Sequence, residues 1–274
     1  MLRDYQRIMD VMKRRFVIVA WVFLLSFSSH AGEYRVGQGK IPEIRPPLHL
    51  SNGGEKATYR ASWNGIPLAS AEIHAALQVI GGKKFYEVKI QAETWRYLEL
   101  IWKMRDSIES VFDADTFQPH RFTFRQRENR KKIDTTALFD PGNKKWTVRR
   151  QDGKKLREFD FVSQRTFDPI SAAYLARSLD FKVGDKLEME VFGGKSRYLL
   201  TLDVIGKEPI STRVGDFEAY KVIPRVTNLT KEGYAGRVRE ATVWISADEK
   251  RRPLKITSQV FIGSVSIEMV EEMG

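Results

Sequence analysis

Four carboxylates, Asp106, Glu109, Asp113 and Asp115, lie close together in the chain. They are the first place to look for general acid–base chemistry, which needs two carboxyls converging on one bond. Side chains alternate on a β-strand, so Asp106 and Glu109, an odd number apart, are expected on opposite faces. That spacing disfavours a shared acid–base site, and Lys103 and Arg105 offer these acids ordinary ion-pair partners. His49, His74 and His120 have no second histidine or carboxylate at zinc-ligand spacing. No Gly-x-Ser-x-Gly elbow offers a hydrolase nucleophile. Gly193-Gly194-Lys195-Ser196 imitates the end of a phosphate-binding loop, but the earlier glycine falls at Met189 and no helical pattern follows, so it reads as a hairpin turn. The chain has no cysteine, which removes thiol catalysis, disulfides, thiolate metal sites and the lipid-bearing cysteine of a bacterial lipoprotein. No catalytic, cofactor-binding or metal-ligating residue is assigned.

A stronger signal is basic. From Arg121 to Arg157 the chain holds thirteen Lys/Arg against four Asp/Glu, interleaved with Phe122, Phe124, Phe139 and Trp146. Alternation places the cations on one face and the aromatics on the other. The candidate contacts for an anionic surface are Arg121, Arg125, Arg127, Arg130, Lys131, Lys132, Arg149 and Arg150. Lipid head groups, lipopolysaccharide phosphates or acidic glycans would suit such a face, and so would plain solvent.

The first residues set the expected compartment. Met12-Lys13-Arg14-Arg15 precedes an apolar run from Phe16 to Phe27, and Ser29-His30-Ala31 supplies small residues at the positions a signal peptidase reads. The run is shorter than the roughly 20 apolar residues of a membrane span. Cleavage after Ala31 is expected, leaving no integral span and a periplasmic protein. Residues 1–31 carry five Lys/Arg and two Asp/Glu, so their removal lowers the formal charge from +11 to +8. The product remains basic, and its address makes nucleic acid an unsuitable partner. Residues 32–53, with Gly37, Gly39, Pro42, Pro46 and Pro47, read as an extended linker. Residues 54–274 suffice for a single antiparallel β domain.

The elements that would position any site are short strands between turns. Thr58–Trp63 and Ile66–Ile80 flank Asn64-Gly65, the dipeptide favoured in type I′ hairpins because both residues tolerate positive φ. Gly81-Gly82, Asp113-Ala114-Asp115, Asp140-Pro141-Gly142-Asn143 and Asp152-Gly153 punctuate further period-two stretches. Strands are expected over Phe85–Ala92, Ile108–Phe112, Arg121–Arg127, Trp146–Val148, Leu187–Val191, Tyr198–Ile205, Phe217–Val226, Tyr234–Ser246 and Leu254–Val270, the last bent or divided at Gly263. One segment departs from this rhythm. Asp168, a good N-cap, precedes Pro169 at the first helical position, and a short helix over 168–179 follows, with Ile170, Ala173, Tyr174 and Leu179 on one face. The fold class is mostly β: an antiparallel, strongly curved sheet, half-open barrel or sandwich, with that one helix.

Several strings, in order along the chain, resemble a family of exported bacterial proteins known only as domain of unknown function 3108. They include Gly54–Tyr59 with Trp63–Ile66, Arg105–Ser110, Phe167–Ala172, Val183–Asp185, Gly215–Ala219, Val243–Ser246, Arg252–Ile256 and Ile262–Ser264. The resemblance implies an envelope location and an antiparallel β fold, and carries no catalytic residue. The hairpin from Trp244 to Ile256 is also similar to one in periplasmic lipoprotein carriers, whose half-open barrels hold acyl chains.

The function expected from these observations is non-enzymatic: binding of an apolar or amphipathic, lipid-like ligand, or of an anionic envelope surface, with no cofactor. Two alternatives remain. One is a hydrolase or transferase acting on envelope glycans through carboxylates such as Asp106 and Glu109. The other is a scaffold that docks another envelope protein through the basic face.

Overall fold

The computed structural model describes residues 54–163, 165–229, 241–260 and 263–273. The expected leader, its cleavage site after Ala31, the linker with His49, and residues 234–240 of one expected strand lie outside the described residues.

Eight strands follow one another as hairpins: β1 Gly54–Trp63, β2 Ile66–Ile80, β3 Lys83–Thr94, β4 Arg105–Asp113, β5 Pro119–Glu128, β6 Lys131–Asp140, β7 Lys145–Asp152 and β8 Lys155–Val162. A two-residue strand, β9 Thr166–Phe167, leads into helix α1, Pro169–Ser178. Six strands complete the chain: β10 Lys186–Phe192, β11 Arg197–Thr212, β12 Gly215–Asn228, β13 Ala241–Ser246, β14 Pro253–Gln259 and β15 Ser264–Met273. All fifteen belong to one sheet in the order β8 to β1, then β15 down to β9. Every pairing is antiparallel except β9 with β10. The two halves join where β1 pairs with β15, with Trp63 opposite Val265 and Ala61 opposite Ile267. Among the described residues the sheet has two ends and no hydrogen-bonded closure.

The turns behave as their residues dictate. Asn64 and Gly65 take φ of 47° and 82°, the left-handed pair of a type I′ hairpin. Gly263 divides the last stretch into β14 and β15 with φ 78°. The Gly193–Ser196 segment is the β10–β11 turn, its ends closed by a Gly193 N–H to Ser196 carbonyl bond of 3.0 Å.

Curvature brings the inward-facing residues of the two halves together. Phe122, Phe124, Phe139, Trp146 and Val148 point inward from β5–β7, and Phe192 of β10 meets them. The ring centroid of Phe192 lies 5.8 Å from Trp146 and 5.1 Å from Phe161. Gly194 seats the β10–β11 turn against Thr135 of β6 and Phe122 of β5. A packed aromatic cluster therefore holds the roll together where backbone pairing stops.

Candidate functional site

Helix α1 packs against β4, β9 and β10 of the rolled sheet and is fixed at both of its termini. At the start, the Asp168 carboxylate accepts hydrogen bonds from the backbone N–H groups of Ile170 at 2.8 Å and Ser171 at 3.1 Å. The Ser171 hydroxyl accepts from the Asp168 N–H, completing a capping box. Ser110 of β4 donates its hydroxyl to the second Asp168 oxygen at 2.6 Å, which ties the helix start to the sheet. Asp168 is wholly buried, and burial pushes its carboxyl up to about 6 against the pull of these donors.

At the other end Arg177 enters the core. Its guanidinium donates to Glu55 of β1 at 2.9 Å and to the backbone carbonyls of Arg251 and Lys250 in the β13–β14 turn. Tyr174 places its hydroxyl 3.3 Å from the same Glu55 carboxylate, and burial holds that phenol well above its usual range. The helix thus bridges β4, β1 and the β13–β14 turn.

Between these anchors one helical stripe, buried except at Ala173, borders a cleft. Pro169, Ala172, Ala173 and Ala176, at i, i+3, i+4 and i+7, line a cleft of about 170 Å³. Leu200, Leu202, Val222, Val243 and Ile256 form the opposite wall on β11–β14. Arg177 is the one charged residue on the lining among the described residues, and its guanidinium is directed to Glu55 and the turn carbonyls. Ala173, expected on the packed face with Ile170 and Tyr174, is instead exposed into this cleft. The packed side is formed by Ile170, Tyr174, Leu175 and Ser178.

The sequence-predicted carboxylates divide as their spacing requires. Asp106 faces inward beside Ile108, whereas Glu109 faces outward and meets Arg121 at 2.5 Å. Asp113 accepts hydrogen bonds from the N–H groups of Asp115 and Thr116 and so builds its own turn. The companion of Asp106 is one that sequence spacing hides. The register Ser107–Arg125 and the Met104–Glu128 bridge place Asp106, Gln126 and Glu128 on the same inner face. Burial raises the Asp106 carboxyl to about 6, opposed by an N–H from Arg127 at 2.7 Å, and also raises Glu128, opposed by the Trp102 indole at 2.9 Å. A second apolar pocket of about 40 Å³ lies next to Asp106, lined by Ala61, Ile90, Met104 and Ile108.

His74 is exposed 3.7 Å from Glu72, and His120 packs edge-on against Phe85, where burial lowers its pKa. Among the described residues no three histidines and carboxylates are placed to hold a metal ion.

The eight candidate cations do not form one surface. Arg121, Arg125, Arg127, Lys132 and Arg149 lie on the outer face of β5–β7. Three of them are answered there, Arg121 by Glu109, Arg127 by Asp134 at 2.6 Å and Arg149 by Glu158 at 3.4 Å. Arg130 and Lys131 sit at the β5–β6 turn. Arg150 departs from the group: its position on β7 shares the parity of Trp146 and Val148, so it turns inward and donates to the Thr135 hydroxyl at 2.8 Å.

A family model described as a protein of unknown function (DUF3108) matches residues 58–270. The chain belongs to the DUF3108 family. No curated protein matches this DUF3108 chain in sequence. Among solved structures, a β-barrel-like protein of the DUF1849 domain from Brucella abortus is similar with a TM-score of 0.54 and 9% identity, over 84% of this chain and 99% of that one. A candidate lipoprotein from Parabacteroides distasonis gives 0.39 and 9%, over 86% and 100%. A candidate exported protein with a YmcC-like fold from Bacteroides fragilis gives 0.38 and 7%, over 85% and 100%. The Brucella likeness shows a shared fold and nothing of the chemistry. Among the described residues no helix of the DUF3108 chain is long and apolar enough to cross a membrane.

Proposed function

We propose that this DUF3108 protein is an exported envelope protein that holds an apolar or amphipathic ligand in the cleft beneath α1. The observation that carries the reading is the lining: a helix stripe of proline and alanine faces a wall of valine, leucine and isoleucine. A pocket of this volume and apolar character is suited to hydrocarbon; an engineered cavity of about 150 Å³ lined by Leu, Ile and Phe admits benzene. A single hydrocarbon segment fits within it, and a longer chain would extend through the open side. The exported address is supported by the basic, apolar and small-residue pattern from Met12 to Ala31. In this reading residues 32–53 link the cleaved terminus to one β domain.

Native mass spectrometry of protein recovered from the exported fraction tests the proposal, together with displacement of a fluorescent fatty acid. A173W fills the cleft from an exposed helix position and is expected to abolish binding while leaving the unfolding midpoint near that of the parent. Fatty-acid binding by A173W equal to the parent, or no binding by either protein, would sink the reading.

The carboxylate hydrolase alternative loses its original pair, because Asp106 and Glu109 point to opposite faces.

A further inference from the structure

The connection from β3 to β4, at the end of the sheet opposite the turn that meets Arg177, displays side chains that a soluble loop ordinarily hides. Leu100 is 97% exposed, Tyr97 56% and Trp95 42%, with Ile101 and the neighbouring Ile66 also exposed. Contiguous exposure of large apolar side chains marks a surface that something covers.

Hydrogen bonds fix the loop at several points. The Trp95 N–H donates to the Leu68 carbonyl at 3.0 Å, and the Tyr97 hydroxyl donates to the Pro67 carbonyl. A 3-10 turn over Arg96–Leu98 and the Trp102 N–H to Leu98 carbonyl bond of 2.7 Å fold the loop back on itself. Trp102 is buried and pins the base of the loop through its bond to Glu128. Paired bonds between Lys103 and Asn129 fix the loop to the β5–β6 turn. The apolar tips are held outward by a built scaffold.

The exposed charge around the tips is mostly positive, with Glu93 engaged by Arg105 and Asp152 opposite Lys155. Alternating hairpins bring the β5–β6 and β7–β8 turns to this same end of the sheet. Arg96, Arg130, Lys131, Lys132, Lys154 and Lys155 are exposed there, and among the described residues none has a carboxylate within ion-pair distance. The loop's own Glu99 is already engaged by Arg105 at 2.5 Å and Lys103 at 3.6 Å. Elsewhere on the outer face Arg121, Arg127 and Arg149 are answered by carboxylates.

We propose that this end of the sheet docks on an anionic phospholipid surface, with Trp95, Tyr97, Leu100 and Ile101 entering the interface and the surrounding cations meeting head groups. Tryptophan and tyrosine beside aliphatic residues suit the boundary between head group and acyl chain. Lysine and arginine around them supply attraction that acts over a Debye length. A protein partner of ordinary composition would offer carboxylates to the cations but no reason for the aliphatic tip. The inference rests on exposure and charge and is independent of what the cleft under α1 holds.

The absence of cysteine makes a site-specific test direct. L100C, labelled with an environment-sensitive fluorophore, is mixed with vesicles of phosphatidylglycerol and phosphatidylcholine, or of phosphatidylcholine alone. N143C, in the β6–β7 turn at the opposite end, is the control. The label at 100 is expected to shift to the blue and brighten severalfold with anionic vesicles, weakly with neutral ones, and the label at 143 to stay unchanged. Neutralising Arg130 and Lys154 in R130Q and K154Q should raise the lipid needed for half-response by roughly fivefold per charge. Silence at position 100, an equal response at 143, or indifference to charge removal would each overturn the proposal. So would a response at 100 that an envelope protein produces and lipid does not.

Discussion

Arg177 and Glu55 meet at 2.9 Å with both side chains only 5% exposed, although 122 residues separate them in the chain. The pair joins α1 to the strand at the centre of the sheet. Removing one partner from a buried pair leaves an uncompensated charge and costs about 3–5 kcal/mol. E55Q should therefore lower the free energy of unfolding by that amount, seen as a lower urea midpoint with little change in slope. The double variant E55L/R177M should recover much of the loss, because replacing both ions by apolar groups removes their desolvation penalty. A double variant no better than E55Q would mean that the bonds from Arg177 to the Lys250 and Arg251 carbonyls matter more than the ion pair.

The Asp168 carboxyl titrates near 6 when folded, against about 3.9 when unfolded. The folded state thus binds this proton more tightly. Its contribution to stability is fully present below about pH 4 and is lost as pH rises through about 6. Asparagine caps helices as well as aspartate does, so D168N should keep the helix start while removing the pH slope. The stability difference between parent and D168N should move by about 2–3 kcal/mol in favour of D168N between pH 4 and pH 7. Asp106 is raised to about 6 as well, by burial first and then by Glu128 against Arg127 and Lys131, and D106N should show the same sign. Parallel pH profiles for parent and D168N would show that the buried carboxyl is not titrating in this range.

Gly194 has φ of +84°, and a Cβ there would meet the Thr135 methyl at 3.4 Å and Phe122 at 3.7 Å in ordinary van der Waals contact. The left-handed backbone alone costs an L-residue about 1–2 kcal/mol. G194A should lower stability by that amount, measured by chemical denaturation. Gly153 also has positive φ but faces open space, and asparagine tolerates that region, so G153N should fall within about 0.5 kcal/mol of the parent.

Much of this architecture is legible locally. Asn64-Gly65, Gly263 and the Asp168-Pro169 start of α1 reveal themselves because positive φ and capping are properties of a few adjacent residues. β6 is hidden in the sequence because its buried side carries Thr135 and Ala137 among larger neighbours, which blurs the apolar alternation. β8 is hidden because, at the sheet edge, it is mostly exposed. The pairing of β1 with β15 depends on contacts about 200 residues apart, such as Trp63 with Val265, and no local pattern encodes it. The same holds for the site. Asp106 and Glu128 share a face only through the β4–β5 register, and the cleft stripe of α1 becomes visible only when a wall of β11–β14 stands opposite Ala173.

The two ends of the sheet are held by rings. Phe159 and Phe161 of the edge strand β8 pack on Phe192 of β10 at 6.3 and 5.1 Å, and Trp146 stacks on Phe161 at 5.9 Å. No backbone ladder joins β8 to β10. F192A removes the ring that links these groups and should cost about 3–5 kcal/mol, as large-to-small changes in a packed core do. Its local signature is more telling than its size. Amide exchange should accelerate most in β8 and β7, which lose their seat on the opposite half, while β1, β2 and β15, paired on both sides, slow or quicken only with global unfolding. Uniform acceleration across the sheet would mean that β8 is held by its pairing with β7 alone and that the aromatic cluster does not close the roll.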